Sequence, residues 1–132
     1  MKNDDIDYII GQFEASFIKK IDFDIFYRKI SIDLVIYKGE IIEKHCIVFE
    51  NVSAFFFENN TTERRFNVLP WENAMISEIH YFEKPEDRII YHSDKPDFPE
   101  YIANVNYFIE IWSSLFLIEA KSIVVDGIKY MT

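Results

Sequence analysis

The chain has 132 residues, of which 49% are hydrophobic and 17% aromatic, with only 3 glycines and 4 prolines. This composition excludes disordered and collagen-like proteins, and the length fits a single domain over residues 1–132. Asp and Glu number 23 against 14 Lys and Arg, a formal net charge of −9. Such a charge disfavours nucleic acid and anionic membranes as partners; it either attracts a basic protein or serves solubility alone.

The N-terminus predicts a cytoplasmic protein, because acids stand where a secretory signal needs cations. The longest apolar stretch, residues 107–120, contains Glu110 and Glu119, which is not typical of a membrane span. A single cysteine, Cys46, rules out an internal disulfide and suits a reducing compartment.

Residues 4–17 show helical spacing of apolar side chains, which predicts a short N-terminal helix packed on a sheet. The members of this stripe are Ile6, Ile9, Ile10, Phe13 and Phe17.

The segment 25–38 alternates between apolar and mixed positions, which is the period of a strand. Ile32 and Leu34 fall on its apolar face and are predicted core residues. A break at Gly39 precedes a second alternating segment, residues 41–58, so the two segments predict a hairpin.

Three consecutive phenylalanines lie in the second strand, after a change of phase near Asn51. A bulge at this point would let the strand bend from one sheet into another. Phe55 and Phe57 share one face, which we expect in the core, with the opposite face under the N-terminal helix or a long loop.

The rest of the chain predicts further strands joined by polar connections. Residues 75–83 alternate as a strand, residues 88–92 form a short strand within a loop, and residues 59–74 form a connection. Residues 107–131 fit a helical stripe in part, but their β-branched and aromatic content favours short strands, broken at 113–114 and 121–122. Trp112 is a further predicted core residue, and Asp126-Gly127 indicates a type I′ turn.

Long strands with hairpin turns and no βαβ alternation predict a mainly β fold. We expect an antiparallel β-sandwich or a partly open barrel with a short N-terminal helix.

The sequence contains no recognisable catalytic or metal-binding motif. His45 and Cys46 are adjacent and therefore point to opposite faces of a strand, which argues against a shared metal or a catalytic dyad. No G-x-S-x-G or phosphate-binding glycine loop occurs. The sequence predicts a protein that is not an enzyme and holds no metal or cofactor.

The two polar connections carry aromatic side chains among acids, a composition typical of protein interfaces. The alternative is that these rings hold the loops against the sheet. The predicted partner-binding residues are Trp71, Glu72, Glu86, Asp87 and Tyr91.

Two stretches, HCIVFENVSAFFFENN (45–60) followed by ERRFN (63–67), and NYFIEIWSSLFLIEAKSIVVDGIKY (106–130), resemble the YxiG-like family of small Gram-positive bacterial proteins. The segment FIKKIDFDI (17–25) extends the resemblance. Proteins of this type are similar to immunity proteins, which bind and neutralise a cognate toxin. The resemblance therefore implies a binding protein with a basic toxin as partner. The alternative is a carrier of a small apolar ligand, with a cavity lined by Phe55, Phe57 and Trp112.

Overall fold

The computed structural model describes residues 4–59, 74–83, 88–91, 101–112 and 114–132. One helix and nine strands occur within these ranges: α1 (Asp4–Gly11), β1 (Phe17–Asp24), β2 (Lys29–Lys38), β3 (Ile41–Glu58), β4 (Ala74–Tyr81), β5 (Arg88–Tyr91), β6 (Tyr101–Asn104), β7 (Tyr107–Ile111), β8 (Ser114–Val125) and β9 (Ile128–Met131). Their strand pairs are antiparallel. The predicted mainly β class with a short N-terminal helix is confirmed.

Six strands form a ring in the order β1, β2, β3, β8, β7, β4, and β4 returns to β1. The seam between β1 and β4 is short, with two residue pairs, Phe17–Met75 and Ile18–Ala74. Strand β9 extends the sheet from β8, while β5 and β6 form a separate two-stranded sheet. This arrangement corresponds to the partly open barrel rather than to two stacked sheets.

The helix α1 lies against β4, next to the short seam. Its side chains Ile6 and Ile10 are buried in the core, and the Asp7 carboxylate accepts a hydrogen bond from the Tyr81 backbone N–H at 3.0 Å. The short helix is confirmed, but it covers only the first part of the apolar spacing over residues 4–17. The helix ends at Gly11, a poor helix former, and Phe17 already begins a strand.

The predicted hairpin around Gly39 is confirmed, since β2 and β3 pair from Ile30–Phe49 to Lys38–Ile41. Gly39 has φ +63°, a conformation that glycine adopts without a steric cost. Ile32 and Leu34 are buried, as expected. Strand β2 starts at Lys29 and not at residue 25, because residues 25–28 form the turn between β1 and β2.

The change of phase in β3 is also confirmed. The buried positions step from Phe49 to Val52, and Asn51 between them has φ +51°. The register against β8 shifts between Val52 and Ala54, which is the expected bulge.

The prediction that Phe55, Phe57 and Trp112 are core residues was wrong: their exposed fractions are 41%, 42% and 61%. Phe55 and Phe57 do share a face, and they pair with the buried residues Ile118 and Phe116. This part of β3 extends beyond its pairing with β2, however, so the two rings lack the cover of that strand.

Trp112 is exposed for a different reason, since it lies in the turn between β7 and β8 with φ +58°. Strands rather than a helix occupy residues 107–111, 114–125 and 128–131, in agreement with the favoured interpretation. The expected break at 121–122 was wrong, because β8 is continuous there and only its pattern of burial changes phase. Asp126 and Gly127 both have positive φ, 48° and 84°, as a type I′ turn requires.

Candidate functional site

Apolar side chains project into solvent at the turn between β1 and β2. The exposed fractions are 66% for Ile25, 91% for Phe26 and 73% for Tyr27, and the nearby rings of Phe23 and Phe55 are also partly exposed. We call these five residues the aromatic tip. A contiguous group of exposed apolar side chains on a soluble domain marks an interaction site more often than a single exposed residue does.

A local hydrogen-bond pattern fixes the shape of the turn. The Asp24 carboxylate oxygen Oδ1 accepts hydrogen bonds from the backbone N–H groups of Phe26 at 3.0 Å and Tyr27 at 3.1 Å. Arg28, at the end of the turn, has φ +53°, and its carbonyl oxygen accepts a hydrogen bond from the Val52 N–H at 2.9 Å. The turn is therefore held to the bulge of β3, and its backbone is ordered before any partner arrives.

Ring contacts join the turn to the end of the barrel. The Phe23 and Phe55 rings meet edge to face with centroids 4.6 Å apart. Phe55 in turn stacks on the buried Phe116 ring at 5.9 Å. The base of the aromatic tip is thus continuous with the core, while Phe26 lies beyond it.

The lysines beside the aromatic tip already have acidic partners. Lys20 Nζ lies 3.2 Å from Asp22, and Lys29 Nζ lies 3.4 Å from Glu50. Asp24 and Arg28 have no ion pair with any residue that the structure describes. The tip therefore presents, beside its apolar surface, one carboxylate and one guanidinium that form no ion pair within the described ranges.

A second group of polar residues surrounds His45 at the opposite part of β3. His45 Nδ1 lies 2.6 Å from Asp126 Oδ2, and His45 Nε2 lies 3.2 Å from Glu43 Oε2. Glu43 also pairs with Lys38 at 3.0 Å. The hydrogen bond to Asp126 is the main cause that raises the pKa of His45, and Glu43 adds to it against the effect of burial.

A cleft of about 480 Å³ lies next to this group. It is lined by Lys19, Asp33, Lys44, His45, Cys46 and Asp126, with apolar surface from Val35. Its volume falls within the range of small-molecule sites. The strands β1, β2 and β3 and the turn after β8 all contribute to it.

The cleft does not contain an activated nucleophile. Burial, followed by a hydrogen bond to Asp33, raises the pKa of the Cys46 thiol, whereas a nucleophilic cysteine needs a lowered pKa. The register opposes His45 to buried Leu34 and Cys46 to exposed Asp33, which confirms that the two side chains take opposite faces of β3. Within the described residues, no group of three or more His, Cys, Asp or Glu could hold a metal ion.

Four of the five predicted partner-binding residues have no description in the structure, and their role stays a prediction. Trp71, Glu72, Glu86 and Asp87 lie outside the described residues. Tyr91 lies on β5, where it pairs with Tyr101 of β6. The structure thus adds a surface that the sequence interpretation assigned to a strand. A usable signal existed in Asp24-Ile25-Phe26-Tyr27-Arg28, since Asp often starts a turn by accepting hydrogen bonds from the next residues.

The fold and surface define an acidic, antiparallel β domain of the partly open barrel type with an apolar tip. The chain belongs to the YxiG-like protein family, whose profile matches residues 6–130. It is 27% identical over 126 residues to the protein of Bacillus subtilis strain 168 described as "Uncharacterized protein YxiG". That match covers 94% of this chain and 86% of the relative. No solved structure matches the chain. Among the described residues, no helix is long and apolar enough to cross a membrane.

Proposed function

We propose that this protein is a non-enzymatic protein-binding module, and that it acts as an immunity-type inhibitor of a basic bacterial toxin. The observation that carries the proposal is the aromatic tip, in which Phe26 is 91% exposed on an ordered turn. Exposing such a ring to water is unfavourable, and burying it in the pocket of a partner recovers that free energy.

The charge of the chain supports a protein partner over a lipid surface. A net charge of −9 is repelled by anionic membranes and attracts a cationic protein over long distances. The Asp24 carboxylate beside Phe26 would also be costly to place among lipid headgroups of the same sign. A partner that fits both features has an apolar pocket for the ring and basic groups around it.

The order of the turn supports tight binding. The two hydrogen bonds to Asp24 restrict the turn in the free protein, so that little conformational entropy is lost when Phe26 enters a pocket. The tip would therefore determine the rate of dissociation, whereas the overall charge would determine the rate of association.

The test uses the basic domain of a toxin-like protein encoded beside the gene for this chain. Co-expression with the wild-type chain should restore growth to cells that express the toxin domain. The Phe26→Ser variant should fail to protect, and its purified form should bind the toxin domain at least about 10-fold more weakly through faster dissociation.

The matched control is Tyr8→Ser, which removes an exposed ring on α1 that is 76% exposed and outside the aromatic tip. This variant should protect as well as the wild-type chain. Equal binding of the wild-type and Phe26→Ser proteins would show that the tip is not the interface. Failure of the folded wild-type chain to bind the basic domain, or the lack of a neighbouring toxin-like gene, would contradict the immunity function.

The alternative function, a carrier of a small apolar ligand, requires an internal cavity lined by Phe55, Phe57 and Trp112. Because these three side chains are exposed, they do not line such a cavity.

A further inference from the structure

The cleft beside His45 separates positive from negative charge. On β2 and β3, Asp33 pairs with Cys46 and Val35 pairs with Lys44, so these four residues share the outer face of the hairpin in two successive rows. The Asp126 turn adjoins the first row, because the Asp126 carboxylate accepts the Cys46 N–H at 2.8 Å. One end of the cleft is therefore acidic, with Asp33 and Asp126.

The other end of the cleft is basic. Lys44 lies in the second row, opposite Val35. Lys19, from the neighbouring strand β1, has its ammonium group 5.7 Å from the centre of the Tyr37 ring, which is two residues further along β2 from Val35. Val35 is only 7% exposed and supplies apolar surface in the second row, beside Lys44.

The charges on this face do not neutralise one another. Within the part of the chain that the structure describes, neither Asp33 nor Lys44 has an oppositely charged side-chain atom within 4.0 Å. His45 and Asp126 do pair with each other, and Lys20, which lies opposite Asp33 on β1, pairs with Asp22. Among the described residues Asp33 therefore has a hydrogen bond with the Cys46 thiol but no ion pair, and Lys44 has no ion pair either. A ligand with a single charge would satisfy one end of the cleft and lie near a like charge at the other.

The distance between the rows limits the ligand. Asp33 and Lys44 are diagonal neighbours on adjacent strands, which places them about 7–8 Å apart. An extended dipeptide spans about 7 Å, and it carries an ammonium at one end and a carboxylate at the other. A free amino acid has both charges on one carbon and is too short to reach both rows without movement of the side chains.

We propose that this cleft binds a short peptide with free termini, with its amino group at Asp33, its carboxylate at Lys44 and an apolar side chain over Val35. The site lies midway along β2 and is separate from the aromatic tip, so it does not depend on the toxin-binding function. Each terminus would make a charge-assisted hydrogen bond, and the stem of Lys19 would close one side.

The test is an NMR titration of the ¹⁵N-labelled wild-type chain with alanyl-leucine. Saturable shifts should occur at the backbone amides of residues 33–35 and 44–46, with a dissociation constant of about 1 mM or lower. N-acetyl-alanyl-leucine and alanyl-leucinamide, each without one terminal charge, should bind at least about 10-fold more weakly. Free leucine should also bind more weakly, because it cannot span the two rows.

Variants assign each terminus to its residue. Asp33→Asn should weaken the binding of alanyl-leucine and abolish the difference between the free and N-acetylated peptides. Lys44→Met should abolish the difference between the peptide and its amide. The matched controls are Asp5→Asn and Lys121→Met, at exposed residues outside the cleft, and both should bind as the wild type does.

The proposal is wrong if alanyl-leucine at about 20 mM gives no saturable shifts in the folded wild-type protein, or if the shifts lie away from the cleft. Equal binding of the blocked and free peptides would also overturn it, since the termini would then make no contact. Leucine that binds as tightly as the dipeptide would overturn the spacing argument.

Discussion

Phe49 and Phe55 lie on the same strand, both opposite buried residues of β8, yet Phe49 is completely buried and Phe55 is 41% exposed. At Phe49 the strand has neighbours on both edges, with Ile30 of β2 on one side and Ile123 of β8 on the other. At Phe55 it pairs with β8 alone. The difference shows that alternation along a strand determines the direction of a side chain, whereas burial depends on how many neighbouring strands reach that point.

The same rule divides β3 into three parts. Residues 41–46 pair only with β2, residues 47–49 pair with β2 and β8, and the paired residues from 50 to 58 pair only with β8. The part with two neighbours crosses the closed barrel, and the other parts extend from it. Both candidate surfaces lie where β3 lacks one neighbour, and this is where side chains and turns remain accessible.

The largest expected effect tests the two phenylalanines directly. Phe49→Ala should reduce the free energy of unfolding by about 3–5 kcal/mol, because it removes a fully buried ring and leaves a cavity. The substitution also removes the edge-to-face contact between the Phe49 and Tyr107 rings, whose centroids are 4.9 Å apart. Urea-induced unfolding measures the change.

Phe55→Ala is the matched variant, since it deletes the same ring from the same strand. We expect it to cost less than half as much, because the ring is already partly hydrated. If both variants lost the same stability, the open end of β3 would be as well packed as the barrel, and the comparison would be wrong.

Much of the fold was predictable from the sequence, because its signals are local. The alternation of residues 30–36, the glycine at position 39 and the Asp126-Gly127 pair each specify a conformation within a few residues. The bulge near Asn51 was also visible, as a change of phase. These features depend on the backbone and on the nearest side chains alone.

The exposure of the Phe55, Phe57 and Trp112 side chains was not predictable in the same way. It depends on where β2 ends relative to β3 and on the turn at Trp112, and both are set by pairing between distant segments. The cleft is equally non-local, since it combines Lys19, Lys44 and Asp126 from separate parts of the chain. The aromatic tip was missed because residues 25–28 continue an apolar pattern that resembles a strand.

The next largest effect concerns the part of β3 that lacks β8. On this edge of β3 the Asp126 carboxylate accepts a hydrogen bond from the Cys46 N–H, as a neighbouring strand would, and a second contact joins it to His45. Asp126→Ala should therefore destabilise the protein by about 1–2 kcal/mol, the loss of two partly solvated hydrogen bonds. Asp126→Asn should cost less, since its side-chain oxygen can still accept the Cys46 N–H.

The pH dependence of stability distinguishes the contact of Asp126 with His45 from its contact with the Cys46 N–H. Because the pKa of His45 is raised in the folded state, its protonated form stabilises the fold fully below the unfolded pKa of about 6.5. That contribution is lost as the pH rises through the folded-state pKa. The wild-type chain should therefore lose stability relative to Asp126→Asn over that interval. Parallel stability curves for the two proteins would contradict the role of the His45–Asp126 pair.

A smaller effect, of opposite sign, is expected inside the closed barrel. The Tyr107 hydroxyl is buried and has no hydrogen-bond partner among the described residues, and burial raises the pKa of this tyrosine strongly. An unpaired buried hydroxyl is unfavourable. Tyr107→Phe should thus stabilise the protein by about 1 kcal/mol, as measured by thermal or urea-induced unfolding, while Tyr81→Phe, with a neighbouring ring 5.2 Å away, serves as the control. A clear loss of stability in Tyr107→Phe would show that the hydroxyl does have a favourable contact.

The smallest effect should occur at the aromatic tip. Phe26→Ser removes as many ring atoms as Phe49→Ala does, but from a side chain that is 91% exposed in the folded protein. Since the ring is in water in both the folded and the unfolded states, its removal should change the free energy of unfolding by no more than about 0.5 kcal/mol. The hydrogen bonds from the turn to Asp24 involve the backbone N–H groups and remain in the variant. A loss of more than about 2 kcal/mol would mean that Phe26 packs within the protein, and the reason for treating the tip as a binding surface would disappear. An unchanged stability, together with weaker binding to the basic toxin domain, would instead identify a residue retained for recognition.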